Sequence, residues 1–216
     1  MGSRNMARGR RRKVEKTKEV PVEEAEKTIR PSWESPGAKK IALDIDGTLA
    51  NVQELLLNIA GYPANLNILD TWTKLYEVFG GNAGFWKAYT RAWSNFEDIK
   101  PTDDTIRYTI DQLMRSGHVV DIVTLRPATT EIYTRRWLQR NAIPYNNLVI
   151  IDADLNDELP TGEEKFAFDY DVYVDDNPYM AVLKPDKVIL YDRPWNKSVE
   201  ATRIYKLAGL LNIIKV

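Results

Sequence analysis

From Lys39 onward the chain alternates short apolar runs with stretches whose apolar positions recur at helical spacing. The first run, 41–43, ends directly at Asp44. Ile106, Ile110, Leu113 and Met114 mark one face of a helix over 102–116. Asp103 and Asp104 suit its first turn, and Gly117 is its stop. Residues 118–123 read as a strand and 128–141 as a second amphipathic helix. Three further short strands fall at 147–151, 172–174 and 187–190, and Ser198 opens a predicted final helix carrying Ile204, Leu207, Ala208 and Leu211. Strands alternating with helices predict an α/β fold, a Rossmann-like parallel sheet flanked by helices.

Residues 51–100 break this alternation. Eight of the chain's 22 aromatic residues fall between Trp72 and Phe96. That density predicts a small helical cap inserted after the first strand, with the sheet core made of 39–50 and 101–216. Its rings form a small apolar core of their own, and together they make a wall on which a flat group could stack. Trp72, Trp86 and Trp93 are the candidate substrate-binding rings.

The strand ends carry the candidate chemistry. Asp44 and Asp46 sit two residues apart on an extended segment, so their side chains share a face, and Gly47 permits a tight turn behind them. Two close carboxylates repel unless a cation or a shared proton lies between them. Oxygen ligands suit Mg²⁺. A calcium loop starting at Asp44 would need Glu at its twelfth position, where the chain has Leu55. A second pair, Asp175 and Asp176, ends the 172–174 strand, and Thr124 closes the 118–123 strand. Lys165 lies ten residues before Asp175. It is either a surface lysine beside Glu163 and Glu164 or part of the same site. Parallel sheets bind ligands beyond the carboxyl ends of their strands, where these groups would converge.

Composition narrows the classes. Cys is absent, which removes disulfides, thiolate catalysis and Cys metal sites, and fits a cytoplasmic protein. No apolar run is long enough to span a bilayer. The formal charge of −1 is unevenly spread: residues 1–40 hold 12 basic and 6 acidic residues, the remainder 18 and 25. An acidic body argues against a long polynucleotide groove. Residues 1–38 read as a disordered basic tail, either simply solvated or a nucleic-acid arm. The lone histidine, His118, opens a strand and reads as structural. No serine-hydrolase or P-loop motif is present.

Taken together, Asp44-Ile45-Asp46-Gly47-Thr48, Thr124, Lys165 and Asp175-Asp176-Asn177-Pro178 resemble the haloacid dehalogenase (HAD) superfamily of phosphohydrolases. With Asp192-Arg193-Pro194-Trp195-Asn196 after the last strand, the chain is most similar to its 5′(3′)-deoxyribonucleotidase family. The resemblance implies a Mg²⁺-dependent phosphomonoesterase acting on nucleoside monophosphates through an aspartyl-phosphate. Asp44 would be the nucleophile and Asp46 the general acid and base. Mg²⁺ would be held by Asp44, the Asp46 carbonyl and Asp175, with Asp176 orienting the shell. Thr124 and Lys165 would bind phosphoryl oxygens, while Arg126 would reach the phosphate or pin its loop. Arg193 and Asn196 would stabilise the last loop. Phosphatases of nucleic-acid 3′ ends or of sugar phosphates are alternatives. A catalytically silent binding module is another, although it would normally lack one of Asp44, Asp46, Lys165 or Asp175.

Overall fold

The computed structural model describes residues 37–71, 73–153 and 161–214. Trp72 and most of the predicted tail lie outside the described residues. Six strands form one parallel sheet: β1 (Lys40–Leu43), β2 (Val119–Arg126), β3 (Leu148–Asp152), β4 (Val172–Asp175), β5 (Val188–Tyr191) and β6 (Arg203–Ile204). Their order is β3-β2-β1-β4-β5-β6. The chain therefore winds outward from β1 on one side, then returns to start β4 on the other. Leu43 pairs with Ile122 on one flank and Val174 on the other. The switch in direction falls beside β1, where ligands bind in open sheets of this kind.

The central strands are apolar because both faces are covered. One face carries Ile41, Leu43, Ile122 and Val174 in the larger core. The other carries Ala42, Val123, Tyr173 and Leu190, packed with Met180 and Ala181 of the short helix Pro178–Leu183. The helices Ile106–Arg115 and Glu131–Arg140 bury one stripe each, through Ile106, Ile110 and Leu113 and through Trp137 and Leu138. The first starts later than Asp103 and Asp104 suggest. Asp103 instead accepts from Thr105 N–H at 2.6 Å, from the Tyr191 hydroxyl at 2.7 Å and from Leu207 N–H at 2.9 Å, tying the chain ahead of the helix to the C-terminal segment.

The insertion after β1 is helical, as expected. We name α1 (Val52–Ile59), α2 (Lys74–Val78) and α3 (Asn82–Ser94). α1 buries Val52, Leu56 and Leu57. α3 buries Phe85, Trp86, Tyr89 and Trp93, spaced so that they face one way. Tyr76 meets Phe85 with ring centroids 4.1 Å apart, and Trp93 meets Trp137 of the sheet-flanking helix at 6.0 Å. The aromatic cluster thus joins the insertion to the larger core.

Two expectations are corrected. The helix predicted from Ser198 does not form there. Ile204 instead pairs with Tyr191 in β6 and only Gly209–Ile214 is helical. β6 gives the outer edge of β5 a hydrogen-bonding partner, and Arg203 anchors it by donating to Asn196 Oδ1 at 2.6 Å and the Val199 carbonyl at 2.7 Å. Ile204 and Leu207 are buried as the pattern required, by a strand and a turn rather than by a helix. β2, for its part, does not stop at Thr124 but runs on to Arg126. This places Thr124 and Arg126 on the same face of one strand.

Candidate active site

Asp44 follows β1, with its N–H donating to the Val174 carbonyl at 2.9 Å. This contact continues the β1–β4 ladder and holds Asp44 against the end of β4. Asp175 closes β4 and Asp176 follows it. The carboxylates of Asp44, Asp175 and Asp176 lie within 4.8 Å of one another, and all three residues are buried. Gly47 has φ +86°, and a Cβ there would run into the Asp176 carboxylate. The turn after the first acid must therefore be glycine for the second pair to close on it.

Lys165 stands in this cluster. It follows the left-handed Gly162 in a short 3-10 turn, and while Glu163 and Glu164 face solvent, Lys165 is only 5% exposed. Its Nζ donates to Asp44 Oδ1 and to Asp175 Oδ2, each at 2.6 Å. Burial alone would lower the lysine pKa, but the Asp175 and Asp44 carboxylates outweigh it and hold the ammonium charged. Asp175 is pushed up to about 6, first by burial and then by Asp44, against the pull of Lys165. Asp176 is held well above the usual carboxylate range, by burial and by repulsion from Asp175 and Asp44. Trp195 Nε1 donates to its Oδ2 at 2.9 Å, and the Asn196 amide donates to its carbonyl at 2.9 Å. One ammonium cannot neutralise three buried carboxylates. The remaining charge and the all-oxygen donor set fit a hard divalent cation of the magnesium class.

Asp46 lies apart from this triad, in a cradle of three donors. The Tyr89 hydroxyl donates to Oδ2 at 2.6 Å, Trp93 Nε1 to Oδ1 at 3.1 Å and Arg126 Nη2 to Oδ2 at 2.6 Å. Tyr89 and Trp93 are one turn apart on α3, so a single helix face delivers both. Burial raises the Asp46 pKa, with Arg126 opposing and Asp44 adding to it. Asp44, Asp46, Lys165 and Asp175 all line one cavity, which Leu56, Leu69, Tyr76, Phe85 and Trp86 also line.

No protein-family model and no curated protein matches the sequence. Solved structures do match. A predicted phosphatase from Clostridium acetobutylicum superposes with TM-score 0.59 at 16% identity, over 83% of this chain and 99% of that one. A predicted phosphoglycolate phosphatase from Haemophilus somnus 129pt gives 0.52 at 16%, again over 83% and 99%. The HAD-hydrolase YfnB from Bacillus subtilis, whose structure has magnesium bound, gives 0.51 at 12%, over 83% and 99%. The fold is HAD-like. At these identities the likeness concerns the fold alone.

On this HAD-like frame the structure brings Asp44, Asp46, Lys165, Asp175 and Asp176 together at the carboxyl edge of the sheet. It places three other candidates differently. Arg126 is fully buried and does not line the cavity. Its Nε donates to Thr124 Oγ1 at 3.1 Å, Nη1 to Thr134 Oγ1 at 2.5 Å and Nη2 to Asp46. With every nitrogen engaged, it holds Asp46 and is not free for a phosphate. Thr124 is also fully buried, its hydroxyl accepts from Arg126, and Leu125 makes the cavity wall at this strand. Trp93 is fully buried, with Arg126 Cζ 4.3 Å from its ring centroid, so it cannot serve as a stacking platform. Of the two described candidates, Trp86 lines the cavity and Trp93 does not.

Sequence reasoning missed Tyr89 and the hold of Trp195 on Asp176. Tyr89 did carry a signal, since its spacing from Trp93 puts two polar-tipped rings on one helix face. His118 is structural as read, its Nδ1 accepting from Lys39 N–H at 3.1 Å. Arg193 donates from Nε to the Gly47 carbonyl at 2.5 Å and thereby supports the turn behind Asp46.

Proposed function

We propose that the protein is a Mg²⁺-dependent phosphomonoesterase that hydrolyses nucleoside (deoxy)monophosphates through an aspartyl-phosphate on Asp44. The observation that carries this reading is the buried Asp44–Lys165–Asp175 arrangement, opening on a cavity walled by aromatic residues. Asp44 is the nucleophile, forming a bond to phosphorus as the ester oxygen leaves. Asp46 gives that oxygen its proton and later takes one from water. Lys165 touches the nucleophile and offsets charge on the phosphoryl oxygens. Asp44, Asp175 and Asp176 hold the metal, with Trp195 and Thr48 fixing Asp176. When bound, Mg²⁺ neutralises phosphoryl charge. The 51–100 insertion acts as the cap that closes over Asp44 and supplies selectivity.

Two experiments test this. Mg²⁺ should raise the melting temperature, because it binds the folded carboxylate cluster and not the unfolded chain. At a hundred times its Kd the gain is about 2.7 kcal/mol. Asp175→Asn should remove most of that gain, and an Mg²⁺ response that survives the substitution would count against the assigned cluster. Asp46→Asn should slow hydrolysis of an alkyl phosphate more than of an activated aryl phosphate, since only the alkoxide needs a proton to leave. Equal losses on the two substrates would contradict the acid role.

A further inference from the structure

Trp93 is fully buried and does not line the cavity, yet its indole N–H reaches Asp46, which does. The two oxygens of Asp46 are not held alike. Oδ2 accepts from the Tyr89 hydroxyl and from Arg126 Nη2, each at 2.6 Å. Among the described residues, Oδ1 accepts only from Trp93 Nε1, at 3.1 Å. An ionised carboxylate offers about four acceptor positions, shared equally by its oxygens. Those of Oδ2 are filled, and one on Oδ1 stays open. A proton carried by Asp46 therefore sits on Oδ1, on the side that Trp93 leaves free.

Groups outside the insertion set the direction of that N–H. Arg126 Cζ lies 4.3 Å from the centroid of the Trp93 ring. Trp137, on the helix Glu131–Arg140, meets the same ring at 6.0 Å with the planes 79° apart. Trp137 is also fully buried, and its own Nε1 donates to the Ile99 carbonyl at 2.8 Å, where the chain leaves the insertion. Just beyond, Pro101 bridges to Ala50, so the two connections of the insertion are paired with each other. A tryptophan side chain turns only about its two χ angles, so packing the ring fixes where its N–H points. The indole donates and never accepts, which lets it aim the carboxyl without exchanging a proton with it.

We infer that Trp93 is a positioning residue for proton transfer and that Trp137 acts through it, together turning Asp46 so that Oδ1 carries the proton to the leaving oxygen. This rests on the phosphomonoesterase reading and adds to it the oxygen that acts and the residues that aim it. In the first step a bond forms between Asp44 and phosphorus while the bond from phosphorus to the ester oxygen breaks. The electron pair stays on the ester oxygen, which takes the proton from Oδ1. In the second step Oδ1 takes a proton from the water that attacks phosphorus, and the pair of the Asp44–phosphorus bond returns to Asp44. Tyr89 and Arg126 keep their places on Oδ2 through both steps.

The test is the ratio of kcat/KM for a 2′-deoxynucleoside 5′-monophosphate to kcat/KM for 4-nitrophenyl phosphate, read on the full chain with Mg²⁺. Both esters are measured on one preparation, so a partly unfolded variant leaves the ratio undistorted. Trp93→Phe keeps a ring in place and loses the N–H. It should lower the ratio by about tenfold, because only the alkoxide needs the proton to leave. Trp137→Phe should lower it in the same direction, and the double variant no further than Trp93→Phe alone. In an Asp46→Asn background Trp93→Phe should leave the ratio where it is, since no acid remains to be aimed. A ring that touched the substrate would still lower it there. A ratio that Asp46→Asn moves and Trp93→Phe or Trp137→Phe does not, or that Trp93→Phe lowers even beside Asp46→Asn, overturns the inference and leaves the phosphatase reading standing. Equal losses on both esters in Asp46→Asn remove the acid role and the inference with it. Inactivity of the parent on both esters overturns the phosphatase reading as well.

Discussion

Asp44→Asn protein should fold normally and lose turnover by roughly a million-fold, the scale seen when a covalent nucleophile is removed. Asparagine keeps the shape that lets the 44 N–H bond the Val174 carbonyl, so the β1–β4 junction survives. What disappears is the oxygen nucleophile and one of the two acceptors for Lys165. Removing a carboxylate also relieves repulsion on Asp175 and Asp176, so melting temperature in the absence of metal should hold or rise. Activity and stability are thereby separated. Turnover by the folded variant at anything near the parent rate would show that another group attacks phosphorus.

Arg126→Met should destabilise the fold by about 3 kcal/mol, the low end for breaking a buried ion pair by removing one partner. Asp46 borders the cavity and keeps Tyr89 and Trp93 as donors, which is why the low end applies. Thr124 and Thr134 also lose their shared donor. For a chain of this size the melting temperature should fall by roughly 6–12 °C. kcat should fall with it, because Asp46 would no longer be held at a fixed place. Differential scanning calorimetry beside steady-state kinetics checks both. An arginine that served substrate phosphate would give the opposite pattern: KM rising sharply in a protein as stable as the parent.

That contrast shows where sequence reading succeeded and where it stopped. Asp44, Asp46, Asp175 and Asp176 were legible because each ends an apolar run, and parallel strands deliver their ends to one edge. Lys165 was ambiguous beside two glutamates, and only the turn at Gly162 decides that it points inward while they point out. Arg126 was left open between phosphate and loop, and Trp93 was placed on the substrate, for a related reason. A strand extended by two residues, or a helix face, chooses between cavity and core, and local spacing is compatible with either. Tyr89 and Trp195 meet their partners 43 and 19 residues away in sequence, contacts with no local signature. The final helix failed because β6 satisfies the sheet edge, a demand set by β5 and invisible in the 198–211 pattern.

The central claim is that Asp44 carries the phosphoryl group during turnover. A single-turnover reaction with a radiolabelled phosphate monoester and Mg²⁺, quenched in acid and digested, tests it directly. The account predicts transient label on the peptide containing Asp44, absent in Asp44→Asn and retained longer when Asp46 is replaced by Asn. Complete turnover of the ester with no label on the protein at any time would contradict it.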